Sequence, residues 1–105
     1  MLDLSTIEAI KSLLISNFQV DKIILFGSQA RGIADKRSDV DLLIIGNYQK
    51  ERIKTMRLMR KILLPIDYAF DIITLTQEEF ERDKNYPGTI ARYASKEGVV
   101  LYEHK

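Results

Sequence analysis

The sequence predicts an α+β domain in which helices flank a small mixed β-sheet. Short apolar runs typical of buried strands are interspersed with segments whose apolar residues recur every three or four positions, as in amphipathic helices. One helical segment joins the second and third strands, and such a crossover makes the strands that it connects parallel. A chain of 105 residues is about as long as one ordinary domain, so residues 1–105 are expected to form a single domain.

The first half of the chain predicts one long helix and two strands. Residues 5–17 keep helical spacing, and Ser5 followed by Glu8 matches the capping-box pattern. An apolar, β-rich run at residues 20–26 predicts the first strand, which a short helical turn follows. Residues 40–45 predict the second strand.

The second half predicts the crossover helix, two shorter helices and two more strands. Residues 50–64 keep the helical period, and residues 68–75 form another short apolar run typical of a strand. Thr76 is a suitable cap for the acidic turn that follows it. Residues 89–96 predict a last helix, and residues 99–102 a last strand.

Composition and charge exclude several classes of function. The 16 lysines and arginines nearly cancel the 15 aspartates and glutamates, so the whole chain lacks the positive field that drives non-specific binding, and nucleic acid is not expected as a direct partner. The absence of cysteine excludes disulfides, zinc thiolates and cysteine nucleophiles. No apolar run approaches the ~18 residues of a membrane span, and the N-terminal segment does not have the order of a signal peptide. A cytoplasmic protein that does not bind membranes is expected.

Two aspartates at the entrance of the second strand predict a metal site. Asp39 and Asp41 are two positions apart, so their carboxylates point to the same face of the strand. Two adjacent carboxylates repel each other, and a hard divalent cation between them relieves the repulsion. Magnesium prefers such oxygen donors, supplemented by water and phosphate oxygens.

Two further segments are expected to meet this pair. Parallel second and third strands place their starting ends together, which brings Asp71 beside Asp39 and Asp41. If the first two strands are antiparallel, Gly27 and Ser28 also arrive there. Gly27 has no side chain to hold a phosphate away, and Ser28 offers a hydroxyl and an amide at the start of a short helix. A phosphate-binding corner facing a carboxylate metal site provides the two parts that nucleotide transfer needs.

The motif made by these residues resembles a known signature. Residues 27–32, GSQARG, and residues 38–42, SDVDL, resemble the G-S-x-A-R-G and S-D-x-D-L motifs of the minimal nucleotidyltransferases in the DNA polymerase β superfamily. The length, the third-strand aspartate and residues 96–103 are similar to that family as well. The resemblance implies a nucleotidyltransferase fold with a mixed sheet.

The resemblance also implies roles for individual residues. It implies two magnesium ions held by Asp39 and Asp41, with Asp71 completing the site and, as in many members, helping to deprotonate the acceptor hydroxyl. ATP is the implied substrate. Arg31 is a candidate contact for phosphate or partner, although an exposed surface cation is the alternative. Asp67 is the rival third carboxylate, but its place near Pro65 suggests the approach to a strand.

Small proteins of this kind resemble the antitoxin partners of HEPN-domain toxins. The implied function is transfer of adenylate from ATP to a tyrosine of the toxin partner. Two alternatives stay open at the level of sequence: a module that neutralises its partner by masking, and a nucleotidyltransferase that acts on a nucleic-acid end or a small molecule. Homo- and hetero-oligomers are both compatible with the sequence.

Overall fold

The computed structural model describes residues 2–32, 38–47 and 51–104. The elements follow one another as α1 (Leu4–Asn17), β1 (Val20–Phe26), α2 (Gly27–Arg31), β2 (Val40–Gly46), α3 (Arg52–Ile62), β3 (Phe70–Leu75), α4 (Gln77–Asp83), α5 (Ile90–Glu97) and β4 (Val99–Glu103). The α+β class predicted from the sequence is confirmed. Lys50, predicted as the start of the crossover helix, lies outside the described residues.

The four strands form one mixed sheet in the order β3-β2-β1-β4. β1 pairs antiparallel with both β2 and β4, whereas β2 and β3 pair in parallel. The parallel pair is joined through α3, as the crossover predicts. In this topology the end of β1 and the starts of β2 and β3 share one edge of the sheet.

Helices cover both faces of the sheet, which explains why the inner strand β2 is apolar except at Asp41. On one face, α1 and α3 pack on a core that includes Ile10, Leu42 and Met59. On the other face, α4 and α5 pack on a second core that includes Leu43 and Phe80. None of the helices within the described ranges is long and apolar enough to cross a bilayer.

The capping box predicted at Ser5 and Glu8 is wrong. The helix begins one residue earlier, at Leu4, and Asp3 is its N-cap. The Asp3 carboxylate accepts a hydrogen bond of 2.8 Å from the Thr6 amide and one of 3.0 Å from the Ser5 hydroxyl. Aspartate caps a helix as well as serine does, so the upstream carboxylate takes the role.

A capping box does form at Thr76, where the sequence predicts a cap. The Thr76 hydroxyl accepts a bond of 3.1 Å from the Glu79 amide, and the Glu79 carboxylate accepts one of 2.8 Å from the Thr76 amide. The third strand, in contrast, begins at Phe70, two positions later than predicted. The reason is local, because the Tyr68 amide donates to the Ile66 carbonyl in the preceding turn.

Candidate active site

The predicted carboxylates gather at the shared edge of the sheet. Asp41, the second residue of β2, lies directly opposite Asp71 of β3 in the parallel register and opposite Phe26 of β1 in the antiparallel register. Because side chains alternate along a strand, Asp41 and Asp71 project from the same face of the sheet. Asp39 immediately precedes β2 and is exposed. The convergence expected from the strand order is therefore confirmed.

Gly27 brings the backbone of α2 against the Asp41 carboxylate. A Cβ atom added at Gly27 would collide with Asp41 Oδ2, and the backbone φ of +75° lies in the left-handed region. Both constraints favour glycine at this position. Ser28 follows in the first turn of α2, where its side chain is half-buried. The corner formed by Gly27 and Ser28 thus borders the carboxylates directly.

The electrostatic environment of Asp41 favours the uptake of positive charge. Partial burial raises the pKa of the Asp41 carboxyl, and the negative charges of Asp71 and Asp39 raise this pKa further. Within the described part of the chain, neither Asp39 nor Asp41 has an ion-pair partner. A cation or a proton at this edge would relieve the repulsion.

The donor set fits magnesium. Residues 2–32, 38–47 and 51–104 contain no group of three acidic or histidine side chains already arranged to hold a metal ion. Magnesium does not need such a group, because it is usually held by one or two carboxylates together with water and substrate phosphates. Asp39 and Asp41 offer oxygen donors alone, which suit magnesium or manganese better than softer metals.

Asp71 has a basic neighbour that the sequence interpretation missed. Arg60 Nη2 lies 3.8 Å from Asp71 Oδ1, and both side chains are more than half exposed. Arg60 reaches Asp71 because α3 returns antiparallel to the strands, so its last turn lies beside the start of β3. In the sequence the crossover helix shows only a face rich in cations. This pattern does not indicate which of Arg57, Arg60 and Lys61 lies beside Asp71.

The two remaining candidates, Arg31 and Asp67, are both exposed. Arg31 is exposed at the last position of α2. Asp67 is exposed in the turn before β3, where it lines a surface cavity of about 610 Å³ together with Ser38 and Tyr68. Unlike Asp71, Asp67 is not in register with a residue of β2.

Gln29 is a second residue to which the sequence interpretation gave no role. Its side chain is only 2% exposed, although the helix α2 that carries it has five residues. Its Nε2 atom donates a hydrogen bond of 3.3 Å to the carbonyl oxygen of Ser38. A buried glutamine inside a short polar segment has no sequence signature that distinguishes it from an exposed one.

Sequence comparison finds relatives over most of the chain. Residues 8–105 match the family described as polymerase beta, nucleotidyltransferase. The chain is 36% identical over 84 residues to a Methanocaldococcus jannaschii protein whose name proposes a protein adenylyltransferase, and the match covers 80% of each chain. A second M. jannaschii protein with the same proposed activity is 51% identical over 51 residues, which are 48% of this chain and 35% of that protein.

Solved structures share the fold. A chain from a crystal structure of a toxin–antitoxin with AMP-PNP matches with a TM-score of 0.70 at 20% identity, covering 94% of this chain and 74% of that chain. A chain from the complex of a tri-AMPylated Shewanella oneidensis HEPN toxin with an MNT antitoxin matches with a TM-score of 0.66 at 19% identity. This match covers 95% of this chain and 71% of that chain. The matched sequence family and the shared fold together establish that the chain belongs to the polymerase beta nucleotidyltransferase family.

Proposed function

We propose that this chain transfers AMP from ATP to a tyrosine hydroxyl of a HEPN-type toxin partner and thereby acts as its antitoxin. The observation that carries the proposal is the meeting of Asp41, Asp71 and the Gly27 backbone at one edge of the sheet. This edge combines charge that attracts a cation with backbone amides that suit phosphate.

The relatives support the identity of the transferred group and of the acceptor. The proposed activity of the M. jannaschii proteins supports adenylate as the transferred group and a protein as the acceptor. The toxin complexes that share the fold support a HEPN-domain protein as the partner. A near-neutral balance of charges favours a protein acceptor over nucleic acid.

Each site residue has a distinct role in this proposal. Asp39 and Asp41 would hold magnesium, with Asp71 completing the site. When bound, magnesium neutralises charge on the triphosphate and on the departing pyrophosphate. The amides of Gly27 and Ser28 bind phosphate oxygens, and Arg31 contacts the phosphate or the partner.

The transfer step is a displacement at the α-phosphorus. The acceptor oxygen forms a bond to this phosphorus, while the bond to the oxygen of the departing pyrophosphate breaks. Asp71 accepts the proton from the acceptor hydroxyl and releases it to water, as a general base. The products are an adenylated hydroxyl and pyrophosphate.

The variant Asp71→Asn tests the proposal, with Asp67→Asn as the matched control. The assay follows label from the α-phosphate of ATP into a candidate HEPN-domain partner protein, and a pulldown measures binding of the two proteins. We expect Asp71→Asn to bind the partner but to lose most of the transfer, whereas Asp67→Asn retains both. Full protection from toxicity by Asp71→Asn, with no label on the partner, would identify a masking module instead.

A further inference from the structure

Gln29 connects the two halves of the candidate site. It lies two residues after Gly27, and the carbonyl that its amide contacts belongs to Ser38, immediately before Asp39. Since a carbonyl only accepts hydrogen bonds, the nitrogen of the Gln29 amide must face it, and burial keeps the side chain in this orientation. The bond therefore joins the corner at Gly27 to the entrance of β2.

Asp39 depends on such an external support more than Asp41 does. Asp41 lies within β2 and is flanked by paired residues on both sides, Phe26 and Asp71. Asp39 precedes the strand. On its C-terminal side the backbone is fixed by a hydrogen bond of 2.8 Å from the Val40 amide to the Ala69 carbonyl. On its N-terminal side, the contact from Gln29 fixes the adjacent carbonyl.

We propose that Gln29 is a positioning residue whose buried amide holds Asp39 at the correct distance from the phosphate-binding corner. The inference deepens the proposed function and rests on it. Removing the amide would leave Asp41 and Asp71 in place but would remove the hydrogen bond from Gln29 that restrains the backbone before Asp39. The cation would then lose one well-placed carboxylate, although the charge of the site would be unchanged.

Binding of manganese measures this effect without relying on catalysis. The free Mn²⁺ signal in electron paramagnetic resonance gives the dissociation constant in the presence of a non-hydrolysable ATP analogue. Gln29→Met removes the donor and keeps the length of the side chain. We expect its dissociation constant for Mn²⁺ to rise roughly tenfold, the lower end of the effect of losing an outer-shell partner of a metal ligand.

Two comparisons separate positioning from a general structural effect. Thr74→Val also replaces a buried polar residue by an apolar one, but near the end of β3 that lies away from Asp71, and it should leave Mn²⁺ binding unchanged. Asp39→Asn should remove the effect of Gln29→Met, so that the double variant binds Mn²⁺ no more weakly than Asp39→Asn alone. If the two substitutions weaken Mn²⁺ binding additively in the double variant, Gln29 does not act through Asp39.

A variant with a shorter side chain at position 29 tests the inference if Gln29→Met does not fold. Gln29→Asn keeps the amide but withdraws it by one methylene, and it too should weaken Mn²⁺ binding. The inference is overturned if folded variants bind Mn²⁺ like the wild type, or if both variants unfold, which would assign Gln29 to stability alone. Absence of Mn²⁺ and nucleotide binding in the wild type would instead contradict the proposed function.

Discussion

Gly27 is subject to two constraints that can be measured separately: a left-handed backbone conformation and a close approach to Asp41. Gly27 and Gly32 have nearly the same backbone conformation, with φ values of +75° and +72°. A Cβ at Gly27 would collide with Asp41, whereas a Cβ at Gly32 would meet no atom within 4 Å among the residues that the structure describes. The pair therefore separates the cost of the left-handed backbone from the cost of the close approach.

Replacing each glycine by alanine should give unequal losses of stability. Gly32→Ala should lower the free energy of unfolding by about 1 kcal/mol, the conformational cost of a left-handed residue. Gly27→Ala should lower it by more, because the carboxylate of Asp41 must also move. Chemical denaturation of the two variants checks this order, and equal losses would show that Gly27 does not press on Asp41.

The repulsion among the carboxylates should appear as a gain in stability when charge is removed. We expect the double variant Asp39→Asn, Asp41→Asn to keep its fold and to unfold at the same or a higher temperature, because Asp41 is partly buried beside two other negative charges. Added magnesium should no longer stabilise it. Circular dichroism with and without metal measures both effects, and a large drop in unfolding temperature would contradict the assigned repulsion.

Thr74 provides a test of core energetics away from the site. Its hydroxyl is buried and has no hydrogen-bond partner among the residues that the structure describes. Thr74→Val removes the unpaired hydroxyl and should raise the free energy of unfolding by about 1 kcal/mol. Thr74→Ser, which keeps the hydroxyl and loses a methyl group, is the matched control and should be less stable than the wild type.

The residues that the sequence could predict are those fixed by spacing and strand order. Asp39 and Asp41 are near neighbours in sequence, and a crossover helix makes β2 and β3 parallel, so that their starting ends, with Asp41 and Asp71, lie side by side. Gln29 and Arg60 escaped prediction for a physical reason. The contacts of Gln29 with Ser38 and of Arg60 with Asp71 depend on which side of a helix faces the sheet edge. A polar segment carries no periodic signal that identifies this side.

Among the elements, the start of α4 is tied to the start of α3 by hydrogen bonds at Glu79. Glu79 accepts hydrogen bonds from the Thr76 amide and from Arg52 at the start of α3, the latter at 2.6 Å. These contacts, first of all the one from the Thr76 backbone, lower the pKa of the Glu79 carboxyl from its ordinary value of 4.5. The folded state therefore binds the proton at Glu79 more weakly than the unfolded state does.

This lowered pKa predicts the direction of a pH effect. The stabilisation by ionised Glu79 is fully present above pH 4.5 and is lost as the pH falls through the lower pKa of the folded state. Glu79→Gln should lower the unfolding free energy by about 0.5–1 kcal/mol at neutral pH. The difference from the wild type should shrink as the pH falls below 4.5. Glu78→Gln removes a carboxylate from the same turn and is the control. A pH-independent difference for Glu79→Gln would contradict the linkage.

The elements that the sequence predicted best are those with apolar residues on both faces. Val40–Gly46 is an unbroken apolar run apart from Asp41, and its position within the sheet explains the pattern. Helix ends were predicted less well. Asp3 and Ser5 are equally suitable caps by composition, and only the path of the chain before α1 selects Asp3.

For the whole molecule, binding of metal and nucleotide should be coupled to stability. A ligand that binds only the folded state raises the unfolding free energy by about 2.7 kcal/mol at one hundred times its dissociation constant. We therefore expect magnesium with ATP to raise the unfolding temperature by several degrees, and ATP without metal to raise it much less. A thermal shift titration measures this, with the Asp39→Asn, Asp41→Asn variant as control. If the unfolding temperature of the wild type does not change with metal and any nucleotide, the assignment of a metal and nucleotide site is wrong.

The sheet edge is proposed to catalyse adenylate transfer to a protein partner. The most direct measurement is the intact mass of a candidate HEPN-domain partner protein after incubation with the chain, ATP and magnesium, followed by mapping of the modified residue. The predicted result is a gain of one or more adenylates on tyrosine, which disappears with Asp39→Asn, Asp41→Asn. A partner that is bound and neutralised while its mass stays unchanged would contradict the claim.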